Sequence, residues 1–152
     1  MKEKRPDLRV FTWIRPYLAR WGMYRVLVVD DEKLEREGIR FLLSMEEGEW
    51  EIYEAANGKL ALNELRSHKI DLMMTDIKMP HMDGLELSKL VKKELPEIKI
   101  LILSGYDDFS YAQDAISIGV EDYLLKPLTA DALLKKLHEV ASSIRAKQSE
   151  QE

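Results

Sequence analysis

From Tyr24 onward, hydrophobic residues follow two alternating periods along the chain. Short apolar runs such as 25–29 are rich in β-branched residues and long enough for buried strands. Apolar residues at helical spacing come next, as Leu34, Ile39 and Leu42 do among charged residues. The pattern predicts strands at 25–29, 50–55, 71–75, 98–103 and 122–125 and, after the first helix, further helices at 59–67, 84–94, 108–118 and 131–145.

Five strands that alternate with five helices predict an α/β fold with a mostly parallel, doubly wound sheet. Right-handed crossovers put helices on both faces of such a sheet. Residues 147–152 are polar and aperiodic, so they are interpreted as a frayed end or the start of a linker.

The composition favours one globular domain. The 152 residues are 45% hydrophobic, which is enough for a buried core, and they contain no Cys. The absence of Cys excludes a disulfide framework, a thiolate metal site and a cysteine nucleophile. The longest stretch free of Asp, Glu, Lys and Arg is seven residues, 100–106, whereas a membrane-spanning helix needs about 20 apolar residues. We therefore expect a cytoplasmic protein with no membrane association.

The net charge of −5 is unevenly distributed. Residues 1–22 contain six basic and two acidic side chains, a local charge of +4, so residues 23–152 carry −9. An acidic surface repels phosphate backbones. We therefore expect no direct nucleic-acid binding by this chain.

Residues 1–22 are interpreted as a basic and aromatic extension that precedes a domain at 23–146. Six of its apolar residues fall on one helical face, although Pro16 would break a continuous helix. A basic amphipathic segment can dock on a partner or lie on a membrane surface. The favoured interpretation is that translation begins at Met23 and that the extension is an artefact of the start site.

Polar residues follow four of the predicted strands and define the candidate chemistry. The first strand is followed by Asp30 and Asp31, the third by Asp76, the fourth by Ser104 and the fifth by Lys126. The carboxyl ends of parallel strands meet at one edge of a sheet, where ligands bind in open α/β folds. Clustered carboxylates raise one another's pKa unless a cation joins them. Oxygen ligands without His or Cys suit a hard divalent ion such as Mg²⁺.

Four segments carry a recognisable pattern: VLVVDDE at 26–32, DLMMTDIKMPHMDG at 71–84, LSGY at 103–106 and DYLLKP at 122–127. In order and spacing they resemble the receiver domain of bacterial two-component response regulators, across residues 23–145. The segment 104–113 is similar to the subgroup whose receivers precede an AraC-type helix-turn-helix domain. The resemblance implies a flavodoxin-like (βα)5 fold whose five parallel strands take the order 2-1-3-4-5.

The resemblance also implies a role for each matching residue. Asp76 would accept a phosphoryl group from a sensor histidine kinase. Asp31, Asp76 and the backbone carbonyl of Lys78 would ligate Mg²⁺, and Asp30 would hold the ion through water. Lys126 would pair with the phosphoryl oxygens.

A conformational switch is a further implication. Ser104 would move to hydrogen-bond the new phosphoryl group, and Tyr123 would turn inward behind it, although an aromatic residue in a strand also fits a core position. Phosphorylated copies would then dimerise through the fourth helix, fifth strand and fifth helix. The output would be transcription, controlled through a DNA-binding domain outside this sequence. Such a receiver is not an enzyme in the usual sense, although it catalyses its own phosphorylation and dephosphorylation.

Three alternatives stay open. A stand-alone phosphorelay receiver would use the same residues without an output domain. A haloacid-dehalogenase-like phosphatase also uses a nucleophilic Asp, Mg²⁺ and a Lys, but it needs a second Asp two residues on, where this chain has Lys78. A pseudo-receiver would keep the fold as a protein-binding module, and the loss of a site residue would favour it; the sequence retains them all.

Overall fold

The computed structural model describes residues 24–45, 50–105 and 109–151, which form one five-stranded sheet and five helices. The predicted extension 1–22, the predicted domain start at Met23 and the predicted helix start at Asp108 lie outside these ranges. The strands are β1 (Tyr24–Val29), β2 (Trp50–Ala55), β3 (Leu72–Asp76), β4 (Lys99–Ser104) and β5 (Asp122–Leu125), and the helices are α1 (Lys33–Ser44), α2 (Gly58–Ser67), α3 (Gly84–Glu94), α4 (Phe109–Ile118) and α5 (Ala130–Gln151).

The strands pair in parallel in the order β2-β1-β3-β4-β5. Residues 26–29 of β1 and 100–103 of β4 are completely inaccessible to solvent. A strand that is covered on both faces needs continuous apolar residues rather than alternation, which is the pattern these runs show. The predicted flavodoxin-like α/β fold is therefore confirmed.

Helices cover the two faces of the sheet unequally. On one face α1 and α5 pack through Ile39, Leu43, Leu133 and Leu137, and on the other α2, α3 and α4 pack through Ala61, Leu65, Leu87, Val91 and Ala115. Each helix buries one apolar stripe, and this burial stabilises the fold by roughly 25 cal/mol per Å² of apolar surface. Within the described ranges, no helix is both long and apolar enough to cross a bilayer.

Several predicted boundaries differ from the structure by a residue or more, and two of these differences have identifiable reasons. The pattern places Asp71 in the third strand, but β3 begins at Leu72. The Asp71 carboxylate instead accepts a hydrogen bond from the backbone N–H of Arg25 (2.8 Å), so it caps the start of β1. The last helix continues past Arg145 to Gln151, and residues 147–151 of the predicted polar tail are therefore helical. Lys, Gln and Glu are good helix formers, so a polar sequence can continue the helix.

Gly84, the first residue of α3, lies against the backbone at the end of β3. Its N–H donates to the carbonyl oxygen of Ile77 (2.7 Å), and a Cβ added here would press on the carbonyl oxygen of Asp76. We expect Gly84→Ala to lower the free energy of unfolding by about 2–3 kcal/mol, because packed backbone has to shift. Urea unfolding followed by circular dichroism measures this change.

Gly38→Ala is the matched control for that substitution. Gly38 lies inside α1, and a Cβ added there meets no atom within 4 Å. Alanine should stabilise the helix at this position by about 0.5–1 kcal/mol, because it restricts the unfolded chain. Equal effects of the two substitutions would contradict the close approach at Gly84.

Candidate functional site

Asp76 is the last residue of β3, and β3 lies between β1 and β4. Its side chain is largely buried. The carboxylate Oδ1 accepts a hydrogen bond from the backbone N–H of Ile77 (2.8 Å), and Oδ2 accepts one from Lys126 Nζ (3.1 Å). These two contacts fix the carboxylate at the carboxyl edge of the sheet, with an ammonium group beside it.

Asp30 follows β1 on the neighbouring strand and is completely buried. Its Oδ1 accepts a hydrogen bond from the backbone N–H of Glu32 (2.9 Å), and the guanidinium of Arg36 donates to its backbone carbonyl (2.7 Å). Its other oxygen, Oδ2, has no hydrogen-bond partner among the described residues and lies 3.5 Å from Lys126 Nζ. A buried carboxylate oxygen in that state has unused capacity for a ligand.

Lys126 follows β5 and brings its ammonium group into this acidic edge. A cis peptide bond joins it to Pro127, and its backbone N–H donates to the carbonyl oxygen of Ser104 (2.8 Å). Its Nζ lies within salt-bridge distance of Asp30, Asp76 and a third carboxylate, that of Glu35.

Glu35 is the site residue that the sequence analysis missed. It lies in the first turn of α1, and its Oε2 is 2.5 Å from Lys126 Nζ. Carboxylate oxygens of Asp30, Glu35 and Asp76 lie within 4.8 Å of one another, a spacing that could hold a metal ion. In the sequence, Glu35 is one of several charged residues on a helix face, and nothing there distinguishes it from Glu37.

Burial and mutual proximity shift the pKa values of these groups. Burial raises the pKa of Asp30 to about 7, and the interaction with the neighbouring carboxylate of Glu35 contributes in the same direction. The interaction with Asp30 lowers the pKa of Glu35, and Lys126 acts in the same direction. Burial raises the pKa of Asp76 against the opposing effect of Lys126. Burial alone would lower the pKa of Lys126, but its hydrogen bonds to Glu35 and Asp76 raise it above its ordinary value.

Two of the predicted metal ligands lie outside this cluster. Asp31 is exposed in the loop between β1 and α1, and it is not among the carboxylates that approach within 4.8 Å. Lys78, whose carbonyl was predicted to bind the ion, lies exposed in the loop after β3.

The predicted switch residues lie on the two strands beyond β3. Ser104 ends β4, one residue past Leu103, which pairs with Asp76. Its side chain is buried, and its Oγ has no hydrogen-bond partner within the described ranges. Tyr123 of β5 is half-buried and packs against the core face formed with α2, α3 and α4. The serine hydroxyl therefore has unused hydrogen-bonding capacity, and the tyrosine ring lies partly inside and partly outside the core.

Comparisons with known proteins match this chain to a family model and to relatives. The sequence model of the response regulator receiver domain matches residues 26–138. The chain is 36% identical over 124 residues to the uncharacterized transcriptional regulatory protein YesN of Bacillus subtilis, a match that covers 81% of this chain and 34% of YesN. It thus spans about a third of that relative's length.

Solved structures show the same fold. The receiver domain of AraT, a response regulator from Geobacillus stearothermophilus, superposes with a TM-score of 0.77 at 39% identity, covering 83% of this chain and 98% of that one. A two-component transcriptional regulator AraC from Clostridium phytofermentans gives a TM-score of 0.74 at 28% identity, covering 84% and 98%.

The raised pKa of Asp30 predicts that ionisation of this carboxylate lowers the free energy of unfolding of the metal-free protein as pH rises. Between its ordinary pKa of 3.8 and its folded value of about 7, folding takes up a proton, so the stability contributed by this group falls as pH rises. Asp30→Asn removes the buried charge. We expect it to raise the free energy of unfolding by about 1–3 kcal/mol near pH 8, with little gain near pH 5.

Urea unfolding at both pH values, in the presence of a metal chelator, measures this difference. Asp114→Asn removes the same formal charge from an exposed position on α4 and should change stability little at either pH. A gain from Asp30→Asn that does not depend on pH would contradict the assignment.

Proposed function

The chain belongs to the response regulator receiver family, and from that premise we propose that Asp76 accepts a phosphoryl group from a sensor histidine kinase. An oxygen of Asp76 would attack phosphorus, and the bond between phosphorus and the kinase histidine nitrogen would break. That nitrogen would take up a proton from solvent, and Asp76 would become an acyl phosphate. The modified domain would signal through a changed surface.

The contact that carries this proposal is the one between Lys126 Nζ and Asp76 Oδ2, at 3.1 Å. A carboxylate nucleophile and a phosphoryl group repel each other because both are negative. A neighbouring ammonium offsets that repulsion as charge develops on the phosphoryl oxygens. Lysine suits this task because its charge is compact.

The acidic pocket also fits a divalent cation. It contains the unpartnered oxygen of Asp30, and its closely spaced donors are all carboxylates. That donor set is the one Mg²⁺ prefers. From the family resemblance we propose Asp31, Asp76 and the backbone carbonyl of Lys78 as its ligands, with Asp30 acting through water. Asp31 and Lys78 would join Asp76 from exposed loop positions outside the carboxylate cluster. When bound, Mg²⁺ would neutralise part of the charge that opposes phosphoryl transfer.

Phosphorylation would act on the rest of the domain through Ser104 and Tyr123. The phosphoryl group carries about −1.5 to −2 charges, in place of the single charge of the carboxylate, and brings three acceptor oxygens. The Ser104 hydroxyl, buried without a partner in the described structure, is available to donate to one of them. Its movement would vacate space that the half-buried ring of Tyr123 could fill.

The output surface would be the face formed by α4, β5 and α5. Ile116 of α4 and Leu125 of β5 are large apolar side chains that are more than half exposed, and Tyr111 is also exposed. Apolar side chains on one surface favour association. We propose that phosphorylated copies form a homodimer through this face.

The domain would control transcription from the cytoplasm, through a DNA-binding domain joined to it. YesN and the AraC protein from Clostridium phytofermentans are both named as transcriptional regulators, which supports a role of this domain in transcription. Similarity to AraT and AraC supports the subgroup with an AraC-type helix-turn-helix domain. The acidic body of this chain makes direct DNA binding by the receiver itself unfavourable.

Asp76→Asn tests the phosphoacceptor assignment. We expect wild-type protein incubated with acetyl phosphate and Mg²⁺ to gain the mass of one phosphoryl group, and hydroxylamine to remove it, because an acyl phosphate is attacked by nucleophiles. Asparagine lacks the nucleophilic carboxylate, so the variant should show no such gain. Intact-protein mass spectrometry measures both results.

Asp83→Asn is the control for that experiment. Asp83 caps α3 by accepting a hydrogen bond from the backbone N–H of Glu86 (2.8 Å), and asparagine can accept the same bond. This variant should be labelled like wild type. Full labelling of Asp76→Asn would place the acceptor elsewhere.

The proposed switch predicts that Mg²⁺ with beryllofluoride, a phosphoryl mimic, raises the dimer fraction of the chain. Ser104→Ala should still bind the mimic but dimerise less, because it cannot make the new hydrogen bond. Sedimentation velocity with and without the mimic measures the monomer–dimer balance. An unchanged balance in wild-type protein that binds the mimic would exclude phosphorylation-driven self-association.

A further inference from the structure

The ammonium group of Lys126 has an additional partner that the family resemblance does not supply. Glu35, in the first turn of α1, places Oε2 2.5 Å from Lys126 Nζ. The corresponding distances to Asp76 Oδ2 and Asp30 Oδ2 are 3.1 and 3.5 Å. Lys126 is therefore held most closely by a carboxylate from the helix rather than by the strand-end aspartates.

These contacts limit the N–H donors that Lys126 has available for a phosphoryl group. An ammonium has three N–H donors, and three carboxylates already surround this one. A phosphoryl group on Asp76 would bring new acceptor oxygens to the same ammonium. It would also place more negative charge beside Glu35, whose nearest carboxylate oxygen lies within 4.8 Å of one on Asp76.

Glu35 has room to leave this contact. Its side chain is 37% exposed, whereas that of Asp30 is completely buried. A cleft of about 600 Å³ opens beside it, lined among others by Gly38, Pro127 and Leu128. Glu35 can therefore give up Lys126 and turn toward solvent, whereas the completely buried side chain of Asp30 has no such route.

We propose that Glu35 is a positioning residue that holds Lys126 in the unphosphorylated protein and competes with the phosphoryl group for it. The proposal rests on the phosphoacceptor function of Asp76. Glu35 would set how strongly the domain favours its phosphorylated state, because every phosphoryl group that engages Lys126 must first displace this carboxylate. Removal of its charge should therefore make the site more receptive to a phosphoryl group.

The test is the affinity of the whole chain for beryllofluoride at saturating Mg²⁺, measured by calorimetry. Glu35→Gln should bind the mimic roughly three- to tenfold more tightly than wild type, because a competing charge is gone. Glu37→Gln is the matched control: it removes the same charge from the same helix, and Glu37 pairs only loosely with Lys33 (3.9 Å). Its affinity should equal that of wild type.

A second measurement follows Lys126 directly, without metal or mimic. The NMR signals of its Cε methylene and ammonium should shift in Glu35→Gln and stay unchanged in Glu37→Gln. Glu35→Asp, which keeps the charge on a shorter side chain, should give intermediate signals and intermediate affinity for the mimic.

The outcomes separate this inference from the function on which it rests. Failure of the wild-type protein to bind beryllofluoride would contradict the phosphoacceptor function itself. Wild-type binding together with equal affinities of Glu35→Gln and Glu37→Gln would overturn the role of Glu35 alone. A titration with Mg²⁺ only provides the last check: tenfold weaker Mg²⁺ binding by Glu35→Gln would make Glu35 a metal ligand instead of a competitor for Lys126.

Discussion

One ammonium group, that of Lys126, makes the acidic edge of this sheet possible. Carboxylates that follow β1, end β3 and lie on α1 meet there with oxygens within 4.8 Å of one another, and part of that charge is buried. Such groups repel one another and lose hydration, so without a cation at least one would stay protonated. Lys126 contacts all three, which links β5 electrostatically to the centre of the sheet. The carboxylates could bind a cation at this edge, and they depend on Lys126, which lies about 50 positions further along the chain than Asp76.

Topology determines which residues can share that edge. The strand order puts β1 and β3 side by side, so residues that follow them in the sequence become neighbours in space, and β4 brings Ser104 to the other side of Asp76. Each parallel connection needs a helix, and every strand therefore ends at the same edge. Burial of the sheet on both faces keeps these strand ends in fixed positions. The Asp76 carboxylate is then held by one local contact, the N–H of Ile77, and one distant contact, the ammonium of Lys126.

Much of the fold, and the edge of the sheet where the site lies, could be predicted from sequence because buried parallel strands have a simple pattern. Continuous β-branched runs followed by helical periods indicated the elements, and polar residues at the strand ends indicated the edge. The errors have local causes: Asp71 caps a neighbouring strand with its side chain, and the end of α5 is helical without an apolar stripe. Glu35 was missed for a different reason. Which side of α1 faces Lys126 depends on how the helix packs on β1 and α5, and the charge pattern of the helix does not contain that information.

Under the proposed function, two buried atoms would make the site responsive to a ligand. Asp30 Oδ2 and Ser104 Oγ lie on either side of Asp76 with no hydrogen-bond partner among the described residues, and each such atom costs about 1–3 kcal/mol. A cation beside Asp30 and a phosphoryl oxygen beside Ser104 would each relieve one of these costs. A ligand can shift an equilibrium only by binding one state better than the other. Under the proposed function, the incomplete hydrogen bonding of the unmodified domain supplies that difference, and Glu35 opposes it by keeping Lys126 occupied until phosphate arrives.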